Sequence, residues 1–135
     1  MVHAPVLLAE VLNLINIEPS GHYVDATFGR GGHSKAILEN LDSNGRGSVF
    51  DRDPEAIAVA HSLSKDDCRV RVRHSQFSMM GQYADLAAGE IDGILFDLGL
   101  SSPQIDDRNR GFSFKVDGPL AVSYTHLTLP TILLV

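Results

Sequence analysis

The segment DATFGRGGHSKAIL, residues 25–38, sets an acid, Asp25, shortly ahead of three glycines, Gly29, Gly31 and Gly32. Glycine is unfavourable inside regular structure, so this cluster marks a backbone that turns sharply or lets a partner come close. Two further acids close apolar runs: Asp51 ends GSVFD and Asp97 ends IDGILFD. Phe77 follows RVRVRHSQ. Carboxylates, glycine backbone and a flat aromatic ring together suit a ligand with hydroxyls, an amine and a heterocycle, which describes a nucleoside. An acid at the end of the second strand of a nucleotide-binding sheet accepts hydrogen bonds from ribose hydroxyls.

The kind of nucleoside follows from what the loop lacks. A dinucleotide fingerprint reads G-x-G-x-x-G, and here its third slot is Ser34. A phosphate-binding P-loop needs G-x-x-x-x-G-K-[ST], which GGHSK does not supply. S-adenosyl-L-methionine fits better. It has no phosphates, its amino-acid end pairs with acids, polar groups and glycine amides, and its sulfonium cation tolerates an acid-lined rim. Two other classes stay open on these residues: an NAD-dependent oxidoreductase using the same loop and Asp51, and a non-catalytic nucleotide-binding module.

Something must hold these groups together, and the hydrophobic pattern supplies it. PVLLAEVLNLI (5–15) places Leu8, Val11, Leu12 and Ile15 on one helical face, with Pro5 suited to a first helical position. HYVDATF (22–28) predicts a strand and 34–41 a helix. GSVFD (47–51) predicts a second strand, and Asp53-Pro54-Glu55 a helix start with the stripe Ile57, Ala60 and Leu63. RVRVRH (69–74) alternates as a strand, 77–88 predicts a helix, and IDGILFDLG (91–99) predicts a strand buried on both faces. Strands alternating with helices imply a doubly wound, mostly parallel α/β sheet, with ligands beyond the carboxyl ends of the strands.

Bulk properties narrow the class. A chain of 135 residues, 44% hydrophobic and 21% charged, is long enough for a domain with its own core. The lone Cys68 forms no internal disulfide, and no secretory leader opens the chain, so a cytoplasmic setting is expected. The formal net charge of -6 argues against a surface that coats nucleic acid, though not against a nucleic-acid substrate. Six histidines without cysteine pairs or H-x-x-x-H spacing give no metal signal.

HAPVLLAEVL, VDATFGRGGHSKAIL, FDRDPEAIAVA, DGILFDLGLSSPQIDDRNRGFSF and DGPL closely resemble the N-terminal part of bacterial small-subunit ribosomal RNA cytosine-N4 methyltransferases, over about residues 3–120. TFGRGGHS and DLGLSSPQ are highly specific to that family. The resemblance implies a class I methyltransferase, a Rossmann-like fold, S-adenosyl-L-methionine as donor and a ribosomal RNA cytosine amine as acceptor, with the small ribosomal subunit as partner. It implies that Gly31, Gly32, His33, Asp51, Phe77, Asp97 and Gln104 hold the donor. Plainer roles compete: a tight turn for Gly31 and Gly32, a helix start for His33, a turn cap for Asp51, a core ring for Phe77. Ser101-Ser102-Pro103 reads as a turn, and Arg108 and Arg110 as a solvated face. No catalytic base is identified.

The chain departs from the family pattern in two ways. Its sheet is expected to stop after about the fourth strand, and AVSYTHLTLPTILLV replaces the family's Asp-Met-Arg-Met-Asp continuation. That segment carries no acid, Lys or Arg and resembles translated adapter read-through. The expected division is therefore a methyltransferase part at 1–120 and a non-native tail at 121–135, the chain being inactive alone.

Overall fold

The structure, a computed structural model, describes residues 4–99 and 106–110. The chain divides into two compact units, Met1–Asp97 and Leu98–Val135. The boundary expected at residue 120 and the tail 121–135 lie outside the described residues.

In the first unit the elements run α1 (Leu8–Ile15), β1 (His22–Asp25), α2 (Gly32–Glu39), β2 (Arg46–Asp51), α3 (Pro54–Asp66), β3 (Val70–His74), two 3-10 segments (Phe77–Gln82 and Ala84–Leu86) and β4 (Gly93–Leu95). All strands pair in parallel in the order β3-β2-β1-β4. Tyr23 and Val24 register against Gly47 and Ser48 on one side and against Gly93 and Ile94 on the other. This is the doubly wound arrangement expected from the sequence. The direction of winding reverses between β1 and β4, and such sheets bind ligands at that switch point.

Successive residues of a strand face opposite sides, and the core divides accordingly. Tyr23 and Val49 join Ile37, Leu38, Ala56 and Ala60 under the helices. Val24 and Phe50 join Leu86, with Met80 and Tyr83, under the 3-10 segments. Phe50 and Val24 are fully buried, each contributing roughly 1.5–3 kcal/mol. In α1 the expected face of Leu8, Val11, Leu12 and Ile15 is the half-buried one, whereas Leu14 is 87% exposed. Asp53 caps α3 by accepting from the Glu55 N–H, with Pro54 opening the helix.

Three expectations are corrected. Pro5 does not open α1: the helix starts at Leu8, after Leu7 turns into the left-handed region (φ 51°). Residues 77–88 do not form an α-helix. Gly81 weakens the helical pattern and Tyr83 is extended (φ −93°, ψ 118°), so two short 3-10 pieces result. β4 is three residues long and is not buried on both faces, Ile94 being 41% and Phe96 49% exposed. In this strand the apolar run reports hydrophobicity without enclosure.

In the second unit, Asp107 accepts hydrogen bonds from the Asn109 and Arg110 N–H groups, closing the 3-10 turn Arg108–Arg110. Arg108 is exposed, as a solvated face requires, whereas Arg110 is half-buried.

Candidate functional site

The glycine loop leaves β1 at the switch point and is tied to each neighbouring strand end. The Thr27 N–H donates to Asp25 Oδ1 (3.1 Å). The Phe28 N–H donates to the Phe50 carbonyl of β2 (3.0 Å), and the Gly29 N–H to Asp51 Oδ2 (2.8 Å). Toward β4, the Asp97 N–H donates to Thr27 Oγ1 (2.7 Å). Four contacts thus hold one short loop in place.

The glycines have separate reasons. Gly31 sits at φ +80°, and a Cβ there would lie 2.6 Å from the Phe28 ring. Gly32 has Pro5 against it: a Cβ would come within 2.3 Å of Pro5 Cγ. Gly29, at φ +57°, faces open space. Gly31 caps α2 without a side chain, and the first intrahelical bond is Lys35 N–H to Gly31 C=O (2.9 Å). The amides of Gly32, His33 and Ser34 precede that bond, so by helix geometry they are donors left for another partner.

Asp51 is half-buried and accepts twice from backbone, from Gly29 at Oδ2 and from Asp53 at Oδ1 (2.9 Å). It therefore caps the following turn and anchors the glycine loop. A carboxylate has about four lone-pair positions, so acceptor capacity remains for hydroxyls. Asp97 carries an exposed carboxylate beside His33, Nδ1 to Oδ2 3.9 Å. The His33 ring is buried and its Nε2–H donates to the Val6 carbonyl (2.8 Å). Phe77 is half-buried and packs edge-to-face on Phe96, ring centres 5.3 Å apart. The structure brings the loop, His33, Asp51 and Asp97 together at the ends of β1, β2 and β4. Phe77 follows β3, and Gln104 lies outside the described residues.

Asp25 is not an open rim acid. It is 4% exposed, and the Ser34 hydroxyl donates to its Oδ2 (2.5 Å). Burial raises its carboxyl above the ordinary range, against the opposing Ser34 and Thr27 hydrogen bonds. Sequence reasoning missed the roles of Thr27, Ser34 and the Val6 carbonyl. Ser34 had a signal: it occupies the slot where a dinucleotide loop has its third glycine. The Val6 carbonyl had none, since a main-chain acceptor is the same in every residue.

One other contact invites a catalytic reading. His22 Nε2 lies 2.9 Å from Ser48 Oγ, and His22 Nδ1 lies 3.2 Å from the Glu90 carbonyl. Ser48 has zero exposure, however, so no substrate reaches its hydroxyl. The pair is a buried clamp between β1, β2 and the segment before β4.

Among the solved structures that share this fold are two rRNA methylases. One is a putative rRNA-methylase from Clostridium thermocellum, 25% identical, with a TM-score of 0.52 over 62% of this chain and 50% of that one. The other is an rRNA methylase from Streptococcus thermophilus, 20% identical, with a TM-score of 0.53 over 73% of this chain and 57% of that one. The chain thus covers about half the length of either. A model of the MraW methylase family matches residues 1–125, and the chain belongs to that family.

Proposed function

We propose that the chain carries the donor-binding half of an S-adenosyl-L-methionine-dependent methyltransferase that modifies the N4 amine of a cytosine in small-subunit ribosomal RNA, in the cytoplasm. The observation that carries the reading is the glycine loop at the β1–β4 switch point, pinned to Asp51 and to the Asp97 backbone. The groups fit the donor. The free amides opening α2 suit its carboxylate, the remaining lone pairs of Asp51 suit its ribose, and Asp97 suits its ammonium. Ser34 is committed to Asp25, and the loop lacks the third glycine that lets the helix of a dinucleotide-binding unit pack closely on its strand.

Bound S-adenosyl-L-methionine would supply a methyl group activated by a positive sulfur. The chain's own task is then placement, because in-line alignment alone removes a large part of such a barrier. Among the described residues no helix is long and apolar enough to cross a membrane. Calorimetry with S-adenosyl-L-methionine, S-adenosylhomocysteine and NAD tests the donor assignment: the first two should bind and NAD should not. Comparable NAD binding would refute it. Radiolabelled donor with immature small subunits tests the acceptor in the complete enzyme.

A further inference from the structure

The N-terminal segment runs directly against the glycine loop. The Pro5 ring packs where Gly32 leaves no Cβ. The Val6 carbonyl accepts from His33 Nε2. Leu7 then turns at φ 51° to start α1, a conformation that an L-residue other than glycine, asparagine or aspartate seldom adopts. The other ring nitrogen of His33 faces the Asp97 carboxylate. Because a carbonyl only accepts, Nε2 carries the proton that bonds the Val6 carbonyl. One buried imidazole therefore stands between a strap of main chain and an acid of the candidate site.

We propose that His33 is a positioning residue: its ring fastens the strap Pro5–Leu7 onto the glycine loop, and the strap is a wall of the donor site. This rests on the donor reading above and assigns the His33 side chain a task other than touching the donor. Three features converge on it. The ring is 8% exposed, so its edge is committed to protein partners. Gly32 admits the strap only because it lacks a side chain. Val6 and Leu7 stay 65% and 63% exposed, so the strap is held by the half-buried Pro5 ring and the His33 bond to the Val6 carbonyl, with little burial of its other apolar groups. A segment with so few buried contacts opens easily unless it is latched.

Thermodynamic reciprocity supplies a test that a purely structural role would not satisfy: if a closed strap favours the donor, the donor must close the strap by the same factor. In the 135-residue chain, His33→Phe keeps the ring's shape and loses the bond to Val6. It should weaken S-adenosylhomocysteine binding about tenfold at an unchanged melting midpoint, while His33→Gln, which keeps an N–H donor, should restore affinity to within about threefold. Amide exchange of residues 4–8 should slow on adding S-adenosylhomocysteine to the unsubstituted chain and should not respond in His33→Phe. Pro5→Gly, outside the loop and the core, should weaken binding several-fold and covers the case in which His33→Phe does not fold. Unchanged affinity in both His33→Phe and Pro5→Gly overturns the proposal. Strap amides that exchange equally fast in the unsubstituted chain and in His33→Phe without donor also overturn it. If the unsubstituted chain binds no S-adenosylhomocysteine, the donor reading fails and the wall assignment with it; faster donor-free exchange in His33→Phe would still uphold the latch itself.

Discussion

Two glycines of one loop, both in the left-handed region, face opposite surroundings. At Gly31 a methyl group would strike the Phe28 ring, whereas at Gly29 it meets nothing. Left-handed backbone costs an L-residue about 1–2 kcal/mol, and overpacking adds about 1–3 kcal/mol. Gly31→Ala should therefore lower stability by about 2–5 kcal/mol and Gly29→Ala by about 1–2 kcal/mol, read as a difference in urea midpoints. Equal midpoints would show that the ring moves away freely. Asp51 accepts from two amides, so in the proposed donor site it would join structure to binding. Asp51→Ala should weaken S-adenosyl-L-methionine by roughly 1.5–3 kcal/mol in calorimetry and also loosen the loop. A still-folded variant with an unchanged dissociation constant would remove the ribose assignment. His22 gives a pH effect. Burial, aided by the Arg46 charge, holds its imidazole below the ordinary 6.5, against the Glu90 carbonyl and the charges of Asp85 and Asp92. Unfolded chains take up that proton near 6.5 and folded ones only at lower pH, so the contribution is intact above 6.5 and is lost as pH falls below it. Asp25 works in the opposite direction, because its raised carboxyl relieves a penalty as pH falls. The measure is thus the difference between the unsubstituted chain and His22→Gln. The fall in urea-derived stability below 6.5 should be shallower in the variant.

At the scale of elements, what could be read in advance was what depends on local chemistry. The Asp53-Pro54-Glu55 start of α3, the half-buried stripe of α1 and the strand end at Asp51 follow from spacing and capping, whereas β4 ends at Leu95, two residues short of the expected Asp97. Misreadings arose where tertiary context decides. Residues 77–88 have helical spacing, yet Gly81 and an extended Tyr83 divide them, and Tyr83 is held there by packing against Phe50 (ring centres 5.5 Å) and under the Arg73 guanidinium (4.5 Å). Both partners lie on other elements, β2 and β3, and leave no trace in the spacing of 77–88. The apolar run 91–99 signalled a strand, but its three-residue extent and its exposure depend on which neighbours it meets. Within the site, glycines and acids were legible by residue type, whereas the Thr27 and Val6 anchors act through a common hydroxyl and a main-chain carbonyl. The first 3-10 piece can be strengthened. Gly81 has no positive φ and a Cβ there meets nothing within 4 Å, so Gly81→Ala should raise stability by about 0.4–1 kcal/mol through the unfolded chain's entropy. A lowered thermal midpoint would mean that the segment needs glycine's freedom.

Charge decides behaviour at the scale of the whole molecule. Eleven Lys and Arg stand against 17 Asp and Glu. Some of the cations are already engaged. Arg69 binds Asp67 through two nitrogens (2.9 and 2.6 Å) and reaches the Leu41 carbonyl, and Arg73 binds both oxygens of Asp85. The alternating basic strand RVRVRH is therefore partly neutralised by its own fold, not a free cationic stripe. RNA affinity arises largely from counterions released where Lys and Arg replace them, and each phosphate neutralised on a single strand steepens the log–log salt dependence by about 0.7. An acidic chain with paired arginines should neutralise few phosphates. Titration of a labelled single-stranded RNA between 50 and 200 mM salt should then give a slope shallower than about −3, with affinity at the weak end of the nonspecific range, about 10⁻⁴ M. Donor affinity, resting on hydrogen bonds within the loop and at Asp51, should change far less over the same salt range. A steep RNA slope, beyond about −5, would mean that the chain gathers its unpaired cations on one face and holds the acceptor itself.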